Sequence, residues 1–384
     1  MTHDLLIVGA GIHGAACAQA AVASGYSVIV LEQYEQAGMV TSSKSSKLIH
    51  GGLRYLESGQ FKLVKQCLDE RRYLLRNAPW LVKLVPFYIP VYKHTRRRPW
   101  LIHLGLVIYS LLSRKGFSRL DRSHWSQLDG LKTEGLEAVF KYYDGQTNDT
   151  LLTRAVMKSA QQLGAELITH ATFRSAQCHQ QGCTVQFEHE QQLITLDARV
   201  IINTSGPWVN HVLKRIQPET PALDIELVLG THIIVPIKLE QGIYYLETED
   251  GRAVFIMPWG DNSLVGTTET AYGGDPKNIS PPDADIDYLL RAYNQYFGRA
   301  LGRGDVIKAF AGCRVLPADQ QSAFHRARDT IIYHDNSSNP RVFTLYGGKL
   351  TAHRHTAEQV IKIIRPCLPS RRPVADTRKL KLPA

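Results

Sequence analysis

The segment from Asp4 to Glu32, DLLIVGAGIHGAACAQAAVASGYSVIVLE, constrains this chain more than any other. An unbroken apolar run ends at Gly9, a stretch of small residues follows, and a second apolar run ends at Glu32. Apolar runs without alternation are strands buried on both faces. The two therefore lie parallel in one sheet with a helix crossing between them. The glycines of GAGIHG have separate tasks. Gly9 permits a tight turn, Gly11 lets a pyrophosphate approach the backbone, and Gly14 lets the helix pack closely on the strand. The free N–H groups at the helix start, around Ile12 and His13, then face an anion. Glu32 closes the second strand, where a carboxylate accepts hydrogen bonds from a ribose. The expectation is a dinucleotide cofactor.

The chain has 384 residues, which suits one or two domains. A net charge of +10 points to an anionic partner. The charge is dispersed and no nucleic-acid motif is present, so nucleic acid is excluded as that partner. Cys17, Cys67, Cys178, Cys183, Cys313 and Cys367 form no CxxC pair, and their spacing fits neither a zinc site nor a disulfide framework. No metal is expected, and Cys178 and Cys183 are read as flanking a hairpin turn. Asp4 stands where a signal peptide would be basic, and no apolar run reaches the roughly 18–20 residues that span a bilayer. The expected location is cytoplasmic.

Residues 164–206 carry strand patterns with turns at Gln181-Gly182 and near Glu190, buried strands recur at RVIINTSG (199–206) and 341–346, and helices are expected at 60–77, 151–163, 284–300 and about 351–364. Residues 225–270 alternate like strands of a second sheet. The predicted class is α/β, with a Rossmann-like cofactor domain and an inserted mixed or antiparallel-sheet substrate domain. The first is expected at 1–80, 146–222 and 305–384, the second at 81–145 and 223–304.

Three further motifs carry chemistry. In TSSKSSKLIHGGLRYLE (41–57), the hydroxyls of Thr41, Ser42 and Ser43 suit a pyrophosphate. His50-Gly51-Gly52 lets the chain pass flat against a ring system, and Arg54 and Tyr55 point to whatever lies above that ring. NTSGPWVN (203–210) ends a buried strand in small residues, again implying close backbone approach; its Pro207-Trp208 is read as a helix start. In YGGKLTAHRHTAE (346–358) a helix begins after Gly347-Gly348. A helix N-terminus stabilises an anion by about 0.3–1 kcal/mol, which favours a reduced flavin, and Lys349 adds charge. A reductase using two nucleotides would carry a second glycine fingerprint, and none is found. The expected cofactor is FAD, facing an organic electron donor.

Taken in order, GAGIHG with Glu32, TSSKSSKLIHGGLRYLE, NTSGPWVN, GTHIIVP, FIMPWGDNSLVGTTET and GGKLTAHR resemble the FAD-dependent glycerol-3-phosphate dehydrogenases, within the D-amino-acid-oxidase-like flavoproteins. The resemblance runs from about residue 3 to the C-terminus. It implies oxidation of sn-glycerol 3-phosphate to dihydroxyacetone phosphate, with electrons passing to quinone or another acceptor. It also implies a substrate site of Arg54, Tyr55, His232, Arg314 and Lys349. Two guanidinium groups, Arg54 and Arg314, can hold a phosphate bidentately, and His232 is the candidate base. Further cofactor contacts are implied at Lys47, Leu48, Phe173, Thr204, Gly206, Gly312, Gly348, Leu350 and Thr351. The chain departs from the family where GVRPL reads GCRVL (312–316), GTTD ends in Glu269, KLTTYR reads KLTAHR, and Asp319 stands among glutamines. It is read as a short member without the family's helical C-terminal domain.

Residues 96–115 place about fourteen mostly apolar residues between Arg96, Arg97, Arg98 and Arg114, Lys115. The stretch is too short to span a bilayer. It suits either a buried cap helix or peripheral contact with the cytoplasmic face of the inner membrane. Two other function classes fit the same residues: an FAD enzyme for another hydroxy acid or amine, and a non-catalytic flavoprotein subunit.

Overall fold

The computed structural model describes residues 2–318, 330–336 and 338–384; Asp319 lies outside them. Thr2–Val8 is the centre of a nine-stranded sheet. Val28–Leu31 lies parallel on one side of it and Gln192–Asn203 on the other. Glu166–Ile168 extends the first side in parallel, and Val342–Tyr346 the second. Five parallel strands thus form the dinucleotide frame. The helix Ile12–Ala23 is nearly all alanine and other small residues on its buried surface, which lets Asp149–Gln162 and His353–Ile364 pack against it. Gln192–Asn203 is long enough to serve twice. Its first half pairs antiparallel with Gly182–His189, its second half parallel with Thr2–Val8. That hairpin, Ala171–His179 with Gly182–His189, is the one expected around Cys178 and Cys183. Those two cysteines face each other across it and are joined as a disulfide, which their spacing had been read as excluding.

The second sheet has ten strands, mixed because Ile243–Glu247 runs parallel to Lys83–Tyr92. Its axis is Ile225–Val235, paired on one side with Asn262–Gly266 and Thr270–Tyr272 and along the other with Lys308–Pro317. Lys308–Pro317 therefore belongs to this sheet and not to the cofactor frame, so sheet membership does not change at 305. Its residues Gly312 and Arg314 reach the site from the second sheet. Leu48–Ile49 also joins this sheet, antiparallel to the end of Leu136–Gln146. Helix Asp283–Tyr296 covers one face, burying Leu289, Leu290 and Tyr293. Helix Pro99–Ser113 covers the other with Ile102, Leu106 and Tyr109.

Candidate active site

Between the two sheets lies a cavity of about 880 Å³. That is near the top of the range for small-molecule and cofactor sites. One wall is the glycine turn. Gly9 has φ +95°, open to glycine at little strain, and a Cβ there would lie 2.9 Å from the Thr204 carbonyl oxygen. A Cβ on Gly14 would overlap the Gly9 carbonyl, so the third glycine sets the helix-to-strand distance. Thr204 pins the turn from the neighbouring strand, its Oγ1 donating to the Val8 and Gly9 carbonyls (both 2.9 Å). Glu32 is buried. Its Oε2 accepts from Ala10 N–H (2.7 Å) and its Oε1 from Tyr34 N–H (3.0 Å). Burial pushes its carboxyl up and these backbone donors draw it back.

The Thr41–Ser43 turn contributes less than expected. Ser42 Oγ accepts from Ile12 N–H (2.9 Å) at the helix start. Thr41 lines the cavity, but its hydroxyl donates to the Cys313 carbonyl (2.8 Å). Ser43 is not among the lining residues, and its hydroxyl donates to the Val40 carbonyl (2.8 Å). Lys47 does not line the cavity either. Its Nζ donates to Asp149 Oδ1 (2.6 Å) in a buried ion pair and lies 5.2 Å from the Trp259 ring centroid. An ammonium in so apolar a place needs a fixed carboxylate, and Asp149 is itself held by Ser45 N–H (2.8 Å) and Ser45 Oγ (2.7 Å). Lys47 is thereby a tether for the segment, its ammonium turned to Asp149.

His50 and Leu48 line the cavity; Gly51 and Gly52 lie just behind it. Gly51 N–H donates to the Tyr109 hydroxyl (2.9 Å), which donates to Asp144, which is paired with Arg71. This buried chain fixes the turn from beneath. Gly52 has φ +78°, and a Cβ there would overlap the Tyr55 ring. Opposite, Gly348 (φ +115°) leaves room for His13, whose Nε2 is buried with no hydrogen-bond partner among the described residues. Lys349, Leu350 and Thr351 line the cavity as they lead into helix His353–Ile364. His50 N–H donates to Thr351 Oγ1 (3.2 Å), and Lys349 Nζ sits 4.4 Å from the Tyr55 ring centroid.

The remaining wall belongs to the second sheet. Arg314 lines the cavity, with Nη1 3.1 Å from Glu269 Oε1 and Nη2 donating to Thr267 Oγ1 (3.2 Å). Its guanidinium crosses over Gly230, where a Cβ would lie 2.7 Å from Nη2. Burial, then the nearby Arg54, lowers its pKa to about 10, against the effect of Tyr55. Arg54 is not among the lining residues, though its charge acts on Arg314. His232 is 1% exposed, stacks on Phe310 with centroids 5.3 Å apart, and is hydrogen-bonded through Nε2 to Ser46 Oγ (3.0 Å). A Cβ on Gly266 would overlap its ring. Burial, then Arg314 and Lys47, lowers its pKa to about 3. The expected site residues thus converge, with Ser43, Lys47, Gly51, Gly52 and Arg54 set back from the surface. Ser46, Asp149, Tyr109 and Asp144 went unassigned because their partners are far away in the chain. Pro207-Trp208 leads into the short helix Val209–Leu213 as read, and Trp208 also lines the cavity, as do Tyr34 and Arg215.

The turn without room for Cβ atoms, the orphaned His13 Nε2 and the cavity's size fit FAD. Comparison agrees. The family described as FAD dependent oxidoreductase matches residues 4–354. The aerobic glycerol-3-phosphate dehydrogenase of Escherichia coli (strain K12) is 35% identical over 95% of this chain and 74% of its own. The D-erythritol 1-phosphate dehydrogenase of Brucella abortus (strain 2308) is 34% identical, over 96% and 74%. The structure of glycerol-3-phosphate dehydrogenase from Bacillus halodurans complexed with FAD superposes with a TM-score of 0.78 at 24% identity, covering 100% of this chain and 68% of that one.

Proposed function

The chain belongs to the FAD-dependent oxidoreductases, and within that family we propose that it oxidises sn-glycerol 3-phosphate to dihydroxyacetone phosphate. One observation carries the choice of a phosphorylated substrate. Arg314 presents its guanidinium to the cavity, oriented by Glu269 Oε1 (3.1 Å) and Thr267 Oγ1 (3.2 Å). A guanidinium grips phosphate oxygens in pairs, which suits a phosphorylated substrate at this wall. FAD, when bound, supplies the acceptor for the hydride leaving substrate C2. The substrate hydroxyl must then lose its proton. His232 is too buried, and too close to two cations, to take it at neutral pH. His50 lines the same cavity and is only partly buried, so we assign the proton to it. His232 instead fixes Ser46, and Lys349 with the helix start behind it places positive potential where negative charge grows.

D-Erythritol 1-phosphate is the second reading, because the relative named for it is as similar as those named for glycerol 3-phosphate. The test is anaerobic. Glycerol 3-phosphate added to holoenzyme bleaches the long-wavelength flavin band, and Arg314→Ala raises the concentration needed by at least about tenfold without lowering flavin content. Bleaching by D-erythritol 1-phosphate alone selects the second reading; bleaching by neither overturns both.

For the acceptor we propose a quinone reached at a membrane surface. No helix among the described residues is long and apolar enough to cross a membrane. Helix Pro99–Ser113, however, turns Trp100 (68% exposed), Leu104, Val107 and Leu111 (75% exposed) outwards at spacings of four, three and four. Arg96–Arg98 and Arg114–Lys115 flank it. An apolar stripe between basic ends suits an anionic lipid interface.

A further inference from the structure

Side chains alternate along the strands of the substrate wall, so every second one points away from the cavity. On Ile225–Val235, Gly230 and His232 line the cavity and Thr231 between them does not. In the turn that follows Asn262–Gly266, Thr267 and Glu269 hold Arg314, and Thr268 and Thr270 come between and after them. The three threonines turned away meet at one carboxylate, Asp285, in the first turn of helix Asp283–Tyr296. Thr231 Oγ1 and Thr268 Oγ1 donate to its Oδ2 (both 2.6 Å), and Thr270 Oγ1 donates to its Oδ1 (2.7 Å). Thr268 Oγ1 also accepts from Thr231 N–H (2.9 Å). The cluster is closed to water: Asp285 is 6% exposed, Thr268 1% and Thr231 0%.

A buried carboxylate is costly unless its charge is met. Here three hydroxyls and the first turn of a helix meet it. Holding the helix on the sheet does not call for an acid, because Leu289, Leu290 and Tyr293 already pack there. What the acid adds is direction. With its proton fixed on Asp285, Thr268 turns a lone pair to Thr231 N–H, and the turn cannot roll about its own axis. A roll by one residue would exchange its two faces, and Thr267 and Glu269 would leave Arg314. Arg314 depends on them. Its strand pairs it with Val228, and its side chain then crosses Gly230 to the cavity, where these two acceptors give the guanidinium its direction.

We propose that Asp285 is a positioning residue for the substrate phosphate: through Thr231, Thr268 and Thr270 it sets the turn whose Thr267 and Glu269 aim Arg314. The inference rests on the reading of Arg314 as the phosphate contact and holds for either polyol phosphate. The test uses holoenzyme, a dye as electron acceptor and whichever of glycerol 3-phosphate and D-erythritol 1-phosphate bleaches the flavin. Asp285→Leu should raise KM by about fivefold or more, with kcat within about twofold and FAD content unchanged. Asp285→Asn should keep KM within about twofold, since its amide oxygen accepts from Thr231 and Thr268 and its amide nitrogen donates to Thr270. Thr268→Val removes the same fastening and should raise KM in the same way should Asp285→Leu not fold. In an Arg314→Ala background the loss of the acid should add less than about twofold, because the two act on one contact. An unchanged KM in Asp285→Leu or Thr268→Val, where Arg314→Ala alone raises it, overturns the positioning role. So does a full effect that persists without Arg314, or a fall in kcat with KM unchanged. An Arg314→Ala enzyme with unaltered KM removes the phosphate contact first, and this inference with it.

Discussion

His232 is boxed on every side: Phe310 stacks on its ring, Ser46 is bonded to Nε2, and Gly266 leaves no space for even one methyl group. Gly266→Ala is therefore expected to displace the imidazole and release Ser46. Overpacking of this kind costs about 1–3 kcal/mol, measurable by denaturant unfolding, and kcat/KM should fall while FAD stays bound. Unchanged stability together with unchanged kinetics would show that the box is loose. At this scale the glycines of GAGIHG were legible from their spacing between a strand and a helix, although the atom that Gly9 makes room for, the Thr204 carbonyl oxygen, lies far along the chain. Lys47 was not. Its motif position suggests a cofactor ligand, but its partner Asp149 lies 102 residues away, and only the folded chain brings the two together.

Helix Pro99–Ser113 shows how one element takes two roles. Ile102, Leu106 and Tyr109 bury one face, and Trp100, Leu104 and Leu111 leave the other bare. Its composition alone supported both a cap helix and a membrane contact; its placement buries one face in the second sheet's core and leaves the other exposed for the proposed lipid contact. The protein is expected to pellet with anionic vesicles at low salt and less so as salt rises, since the Debye length falls to about 10 Å at 0.1 M. Leu104→Glu with Leu111→Glu should leave the protein in the supernatant with dye-linked activity intact. Equal pelleting by neutral and anionic vesicles at every salt concentration would count against a basic, lipid-facing surface. Strand Lys308–Pro317 was harder to assign. A buried strand pattern looks alike in either sheet, and what decides membership is its pairing along ten residues of Ile225–Val235 and its neighbours, far away in sequence.

Across the whole molecule, His232 and His353 are both buried, with pKa values lowered to about 3 and about 4, burial being the largest cause in each. An unfolded chain takes up protons at both near pH 6.5 and the folded one does not. Their contribution is thus complete above about pH 6.5 and drains away as pH falls towards 4, by up to about 1.4 kcal/mol per pH unit for each ring. Unfolding temperature should drop across that window, and His353→Phe should flatten the slope. A wild-type curve that is level from pH 6.5 to 4 would mean that neither ring is held neutral. The two-sheet architecture was readable from the sequence as a class, because buried and alternating runs separate cleanly. Which strand joins which sheet was not.

Tyr109 gives the molecule one more property. It stands on the inner face of the helix whose outer face is bare, and its hydroxyl accepts the Gly51 N–H beside His50. The inner face of that helix thus holds the turn that carries His50 and Gly51, by this hydrogen bond and by the packing of Ile102, Leu106 and Tyr109 with Leu53, Leu56 and Leu68. One helix separates the bare outer face from the cavity's turn by a single layer of side chains, so the outside of the protein and the candidate site are next-nearest neighbours.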